Sequence, residues 1–105
     1  MTAKMKNLLQ RTKDNLILQH DEDDALLLGF IAAAIDYAES YQKTKYGRRS
    51  MQPSTEQAVI MMASHFYESR DGSTGGFFGD NVQAGKQVWD TVNRLLRMDK
   101  TNWVV

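Results

Sequence analysis

Two clusters of side chains in this 105-residue chain have types that could do chemistry. The first is His20 followed by the unbroken acid run Asp21, Glu22, Asp23 and Asp24. Carboxylates beside an imidazole would suit a hard divalent cation. Consecutive residues at a helix start point in different directions, however, and no second matching cluster accompanies these in the sequence. A helix N-terminus explains the run better. Its partial positive charge favours acids, and Asp21 or Asp23 can cap its free N–H groups. The second cluster is His65, followed by Phe66, Tyr67, Glu68 and Arg70. No serine or cysteine nucleophile pattern lies beside it, so it reads as a packed histidine rather than a general base. The chain has no cysteine, so nothing suggests disulfides or a thiolate metal site. The expectation is a non-enzyme with no catalytic residue, no metal and no cofactor.

Two further stretches invite a ligand reading. Residues 72–79 hold four glycines with Phe77 and Phe78 among them. This is no phosphate cradle: no Gly-Lys-Ser/Thr follows, and no parallel-sheet strand precedes. It reads as a mobile surface loop over 70–81, whose two phenylalanines either fold back onto the domain or anchor into a partner. Lys43, Lys45, Arg48 and Arg49 form a local basic cluster. On a chain of zero formal net charge it makes a weak nucleic-acid site, unless a ring of subunits multiplies it.

Stepping from these residues to the elements that must hold them, the stretch from His20 to Tyr46 reads as one long helix. Leu27, Ile31, Ala34, Ala38 and Tyr41 recur at helical spacing on one stripe. Leu26, Phe30, Ala33 and Tyr37 form an adjacent stripe. Together they exceed what a surface helix needs to bury, so the helix is central or part of it faces another copy. Before it, a short helix over 2–11 with Thr2 as cap leads into an apolar, partly extended connector over 15–19, anchored by Leu16 or Leu18. After it, Gly47 stops the helix, and Pro53 with Ser54 starts the next, over 54–69, with Ser54 as cap and Gln57 closing a capping pattern. Asp80 or Asn81 caps a last helix from about Val82 to Arg97, with Val88, Trp89, Val92, Leu95 and Leu96 on its apolar face. The tail ends in Trp103, Val104 and Val105 and is expected to pack as an extended segment on this chain or a neighbour. The expected fold is all-α: a compact bundle of about four helices in one domain spanning 1–105. With no apolar run long enough to span a bilayer and no signal-peptide core, the protein is expected in a cytoplasm or in a particle assembled there, with no membrane partner.

The order of these elements resembles the small helical head–tail connector proteins of long-tailed double-stranded DNA phages, also called DNA-packaging adaptors. Three stretches carry the resemblance. The first runs from Lys13 to Tyr41, where an aliphatic connector leads to an acidic helix start and an alanine-rich core. The second runs from Pro53 to Arg70, with Ala58, Ala63, His65 and Tyr67 in register. The third runs from Val92 to Asp99 and leads into the tryptophan-containing tail. One departure is the glycine-rich 72–79, where such proteins commonly carry a short proline-containing link.

The resemblance implies a structural virion protein at the head–tail junction, encoded by a phage or prophage. It implies a homo-oligomeric ring of about a dozen subunits closed by a head-to-tail interface. The ring would sit below the portal, extend the channel through which packaged DNA passes without sequence-specific binding, and dock the next connector, stopper or tail protein. On that reading Leu26, Phe30, Ala33 and Tyr37 are the candidate subunit interface. Phe77, Phe78, Trp103, Val104 and Val105 are candidate partner anchors, and Lys43, Lys45, Arg48 and Arg49 a basic cluster facing the channel or a partner. The alternative is a small helical DNA-binding or regulatory interaction module. A helix-turn-helix version of it lacks a basic recognition helix, because residues 54–69 carry no lysine or arginine.

Overall fold

A computed structural model describes residues 2–46, 50–69 and 78–98, with side chains described outside 78–84. The architecture is all-α, in the order α1 (Ala3–Leu16), α2 (Asp24–Gln42), α3 (Pro53–Ser69) and α4 (Phe78–Met98). No strand occurs among the described residues.

Helix α1 starts where its cap predicts: the Met5 N–H donates to Thr2 Oγ1 at 3.2 Å. It does not stop at Arg11 but runs on to Leu16. Leu8, Leu9, Thr12 and Lys13 are all buried along it, and the two polar members disguise the continuing face in the sequence. The Thr12 hydroxyl is satisfied locally, donating to the Leu8 carbonyl at 2.7 Å. The connector accordingly shifts to residues 17–23, between Leu16 and Asp24, and Asn15 and Leu16 belong to the helix. Ile17 ends the helix in the left-handed conformation at φ 59°, which is costly for a β-branched residue, and it is 81% exposed. Leu16 and Leu18 both pack against the core, as an anchoring role requires.

Helix α2 is shorter than the stretch from His20 to Tyr46. Lys43 adopts the left-handed conformation at φ 56°, and its N–H closes the helix on the Glu39 carbonyl. Helix α3 begins with Pro53 in its first turn, where a missing N–H costs nothing. Ser54 therefore lies inside the helix and is not its cap. Its buried positions, Thr55, Ala58, Val59, Ile60, Met62, Ala63 and Ser64, cover about two thirds of its circumference. That enclosure follows from packing on α1, α2 and α4 at once. Helix α4 begins at Phe78, four residues before the expected Val82, so Asp80 and Asn81 lie within it and do not cap it. Val92 and Leu96 are fully buried, and Val88, Trp89 and Leu95 pack beside them.

The inner stripe of α2 (Leu27, Ile31, Ala34, Ala38) is wholly buried, together with Leu8, Met62, Val59 and Leu96. At one end of this core sits a buried polar knot. Gln42 is 1% exposed. Its Nε2 donates to Thr55 Oγ1 at 2.9 Å and to the Leu96 carbonyl at 3.0 Å. Its Oε1 accepts from the Tyr46 hydroxyl. One amide thereby joins α2, the segment after it, α3 and α4. Losing such partners costs about 1–3 kcal/mol for each buried group affected. Gln42→Leu is accordingly expected to destabilise the protein by more than about 3 kcal/mol in urea unfolding. A loss below about 1 kcal/mol would show that the knot is incidental to stability.

Candidate functional site

The acid run that opens α2 is not a capping array. Asp23 occupies the N-cap position but makes no side-chain capping bond. Its carboxylate instead accepts from the Tyr67 hydroxyl of α3. Asp21 and Asp24 hold Lys13 of α1, with Nζ at 2.6 Å and 3.0 Å respectively. The Lys13 side chain is only 8% exposed, whereas that of Asp21 is 86% exposed. The hydrogen bond that Lys13 donates to Asp21, then that to Asp24, pushes the Lys13 pKa above its usual value. The same bond to Lys13 pulls the Asp21 pKa down. Glu22 extends the turn by donating its N–H to His20 Nδ1 at 3.3 Å. Among the described residues no group of three or more histidine, cysteine or acidic side chains is placed to hold a metal ion.

His65 sits on the α3–α4 seam, edge-on to Trp89 with ring centroids 6.3 Å apart. Its Cε1 lies 3.7 Å from where a Cβ on Gly85 would stand. It belongs to an aromatic cluster built on Phe66 and Trp89, whose centroids are 6.0 Å apart.

That cluster divides the second stripe of α2. Phe30 is half-buried against Phe66 at 5.9 Å. Tyr37 is half-buried against Trp89 at 5.1 Å and Tyr41 at 6.2 Å, and its hydroxyl donates to Asn93 Oδ1 at 2.8 Å. Leu26, 40% exposed, and Ala33 instead face outward. They share that direction with Ala25, Gly29 and Ala32, within an arc of about 120°. Sequence reasoning passed over these three because small residues scarcely register in an apolar pattern. Three turns of solvent-facing helix thus carry no charge until Asp36, where a surface helix ordinarily turns a polar face outward.

The basic cluster lies just past the other end of α2. Lys43 is exposed, and the Lys45 side chain is 77% exposed with Nζ 3.8 Å from Glu39. Arg48, Arg49, Phe77, Trp103, Val104 and Val105 lie outside the described residues. Phe78, expected within the glycine loop, is instead the first residue of α4.

Among the described residues the arrangement offers an uncharged helix face with exposed cations near one end. No helix of the described residues is long and apolar enough to cross a membrane. Residues 6–100 match the family model of the phage gp6-like head–tail connector proteins. The chain belongs to that family, and with it to the structural proteins of the phage virion. No curated protein matches the chain, and no solved structure does.

The Lys13 ion pairs predict a pH dependence with two edges. Asp21, with its pKa lowered, contributes stability above its ordinary 3.8 and loses it as pH falls through the folded value. Lys13, with its pKa raised, contributes below its ordinary 10.5 and loses it as pH rises through the folded value. The Tm difference between wild type and Lys13→Met should therefore be largest on the neutral plateau and shrink at both extremes. A pH-independent difference would assign the effect to packing of the lysine stem.

Proposed function

We propose that this protein is a ring-forming adaptor at the head–tail junction, seated below the portal and presenting a docking surface to the next connector, stopper or tail protein. The match of residues 6–100 to the connector family carries this reading. The uncharged outward face of α2 supports it, because an exposed apolar helix face commonly meets a partner. Leu26 and Ala33, with Gly29 between them, form the part of the proposed subunit interface open to a neighbour. Phe30 and Tyr37 back it from within. A face of this kind meeting a different patch on the next copy gives a head-to-tail contact, which closes when the rotation allows.

Exposed Lys43 and Lys45, together with Arg48 and Arg49, would repeat around such a ring. The repeated charge would favour the DNA backbone in the channel without reading its sequence. Phe77, Phe78 and the apolar tail at Trp103, Val104 and Val105 are the proposed anchors to the portal or the adjacent copy.

Native mass and binding to portal-bearing capsids test the reading. Leu26→Asp should leave monomer stability within about 0.5 kcal/mol, since the residue is exposed. It should abolish ring formation and capsid binding. Phe30→Asp is a poorer probe, because it also breaks the contact with Phe66. A ring that forms normally with Leu26→Asp would remove α2 from the interface, and failure of the wild-type chain to bind capsids would overturn the adaptor reading.

A further inference from the structure

A groove of about 390 Å³ lies between the start of α1, the second half of α2 and the chain at Tyr46 and Met51. Met5, Ile35, Tyr46 and Met51 supply apolar walls, and Lys4 and Glu39 supply charged ones. Both charged groups are already engaged by the backbone of Tyr46. Lys4 Nζ donates to the Tyr46 carbonyl at 2.8 Å, and the Tyr46 N–H donates to Glu39 Oε2 at 2.8 Å. What the groove still presents is apolar, and its volume falls in the range that admits a compact apolar guest.

The same end of the molecule receives the end of α4. The Leu96 carbonyl is bonded to the Gln42 amide, which is bonded in turn to the Tyr46 hydroxyl, and Tyr46 lines the groove. Helix α4 ends at Met98. The sequence continues through the polar residues Asp99, Lys100, Thr101 and Asn102 to the apolar Trp103, Val104 and Val105. Trp103 is five residues beyond Met98, a span of roughly 17 Å when extended. Leu96, Gln42 and Tyr46 are joined by successive hydrogen bonds and Tyr46 lines the groove, so a spacer of that length spans the step from the end of α4 to the groove.

We propose that in the free subunit the chain's own C-terminal segment folds back around the end of α2 and seats Trp103, with a valine beside it, in this groove. Lys4 and one Glu39 oxygen are bonded to Tyr46, the other Glu39 oxygen faces Lys45, and the Thr2 hydroxyl at the rim accepts from the Met5 N–H. The indole therefore meets mainly hydrocarbon and thioether surface, contacts that Met5 and Met51 favour. A tail stored in cis leaves no exposed tryptophan on the unassembled subunit and remains available for transfer to a partner. The proposal concerns a single subunit and stands apart from the ring reading.

The test is methyl NMR on the full chain with labelled methionines, followed through a dilution series. Met5 and Met51 methyl groups are expected to show contacts to the Trp103 indole that survive dilution and are absent between differently labelled copies. Trp103→Ala should shift those two resonances and leave Met61 and Met62 in place. Ile35→Lys, at a half-buried wall position, should release the indole and abolish its contacts to the Met5 and Met51 methyl groups. The proposal is overturned if the indole makes no methyl contact or if Met1 fills the groove instead. It is equally overturned if the indole rests on Leu26 and Ala33, or if its contacts appear only between copies. Loss of capsid binding with the tail still docked would count against the adaptor reading alone.

Discussion

The Gln42 side chain holds the ends of three helices in one place. A primary amide has two donors and two acceptor positions, and here they reach the hydroxyls of Thr55 and Tyr46 and the carbonyl of Leu96. Leu96 O lies in the last turn of α4, where carbonyls run out of intrahelical partners, so Gln42 also satisfies one of that helix's end carbonyls. Tyr46 is fixed in turn by Lys4 from α1 and by Glu39 from α2. A hydrophobic core is tolerant of small shifts, whereas a buried amide must meet each partner at hydrogen-bond distance. The register between α2, α3 and α4 is thus set by directional bonds at one end and filled by side-chain packing along the rest.

At the opposite end of α2 the fastening is electrostatic. Lys13 is drawn out of water at the end of α1, near the negative end of that helix, and two carboxylates at the start of α2 compensate its charge. Asn15 donates to Ser64 at 2.8 Å and Arg11 pairs with Glu56 at 3.0 Å, tying α1 to α3. With both ends fastened, α2 can hold an apolar face toward solvent without rolling it inward. That matters for the proposed assembly. A face of alanine, glycine and leucine lets another backbone approach closely, and a helix fixed at both ends presents it in one orientation, so less entropy is lost on docking.

Much of the framework was legible in the residues. The stripe Leu27, Ile31, Ala34 and Ala38 is the buried face of α2, and Val92 and Leu96 are the buried face of α4, because apolar periodicity reports directly on which side of a helix leaves water. Thr2 was readable as a cap because capping is a local act of one side chain on the N–H three residues on. Errors fell at boundaries and on polar residues. Helix α1 outran its prediction because Thr12 and Lys13 are polar yet buried. Helix α4 began early, at Phe78, since glycines that weaken a helix do not forbid one.

The amino-acid sequence by itself determined an all-α chain, the inner faces of its helices and its membership in a connector family. These depend on spacing along one chain and on overall pattern. Tertiary structure decided what each polar residue is for. It turned the acid run from caps into ligands of Lys13 and Tyr67, made Gln42 the junction of three helices, and split Leu26 and Ala33 from Phe30 and Tyr37. A hydrogen bond or ion pair between residues dozens of positions apart leaves no periodic trace in a sequence. Which side of an apolar helix stays exposed depends on how many neighbours are there to cover it.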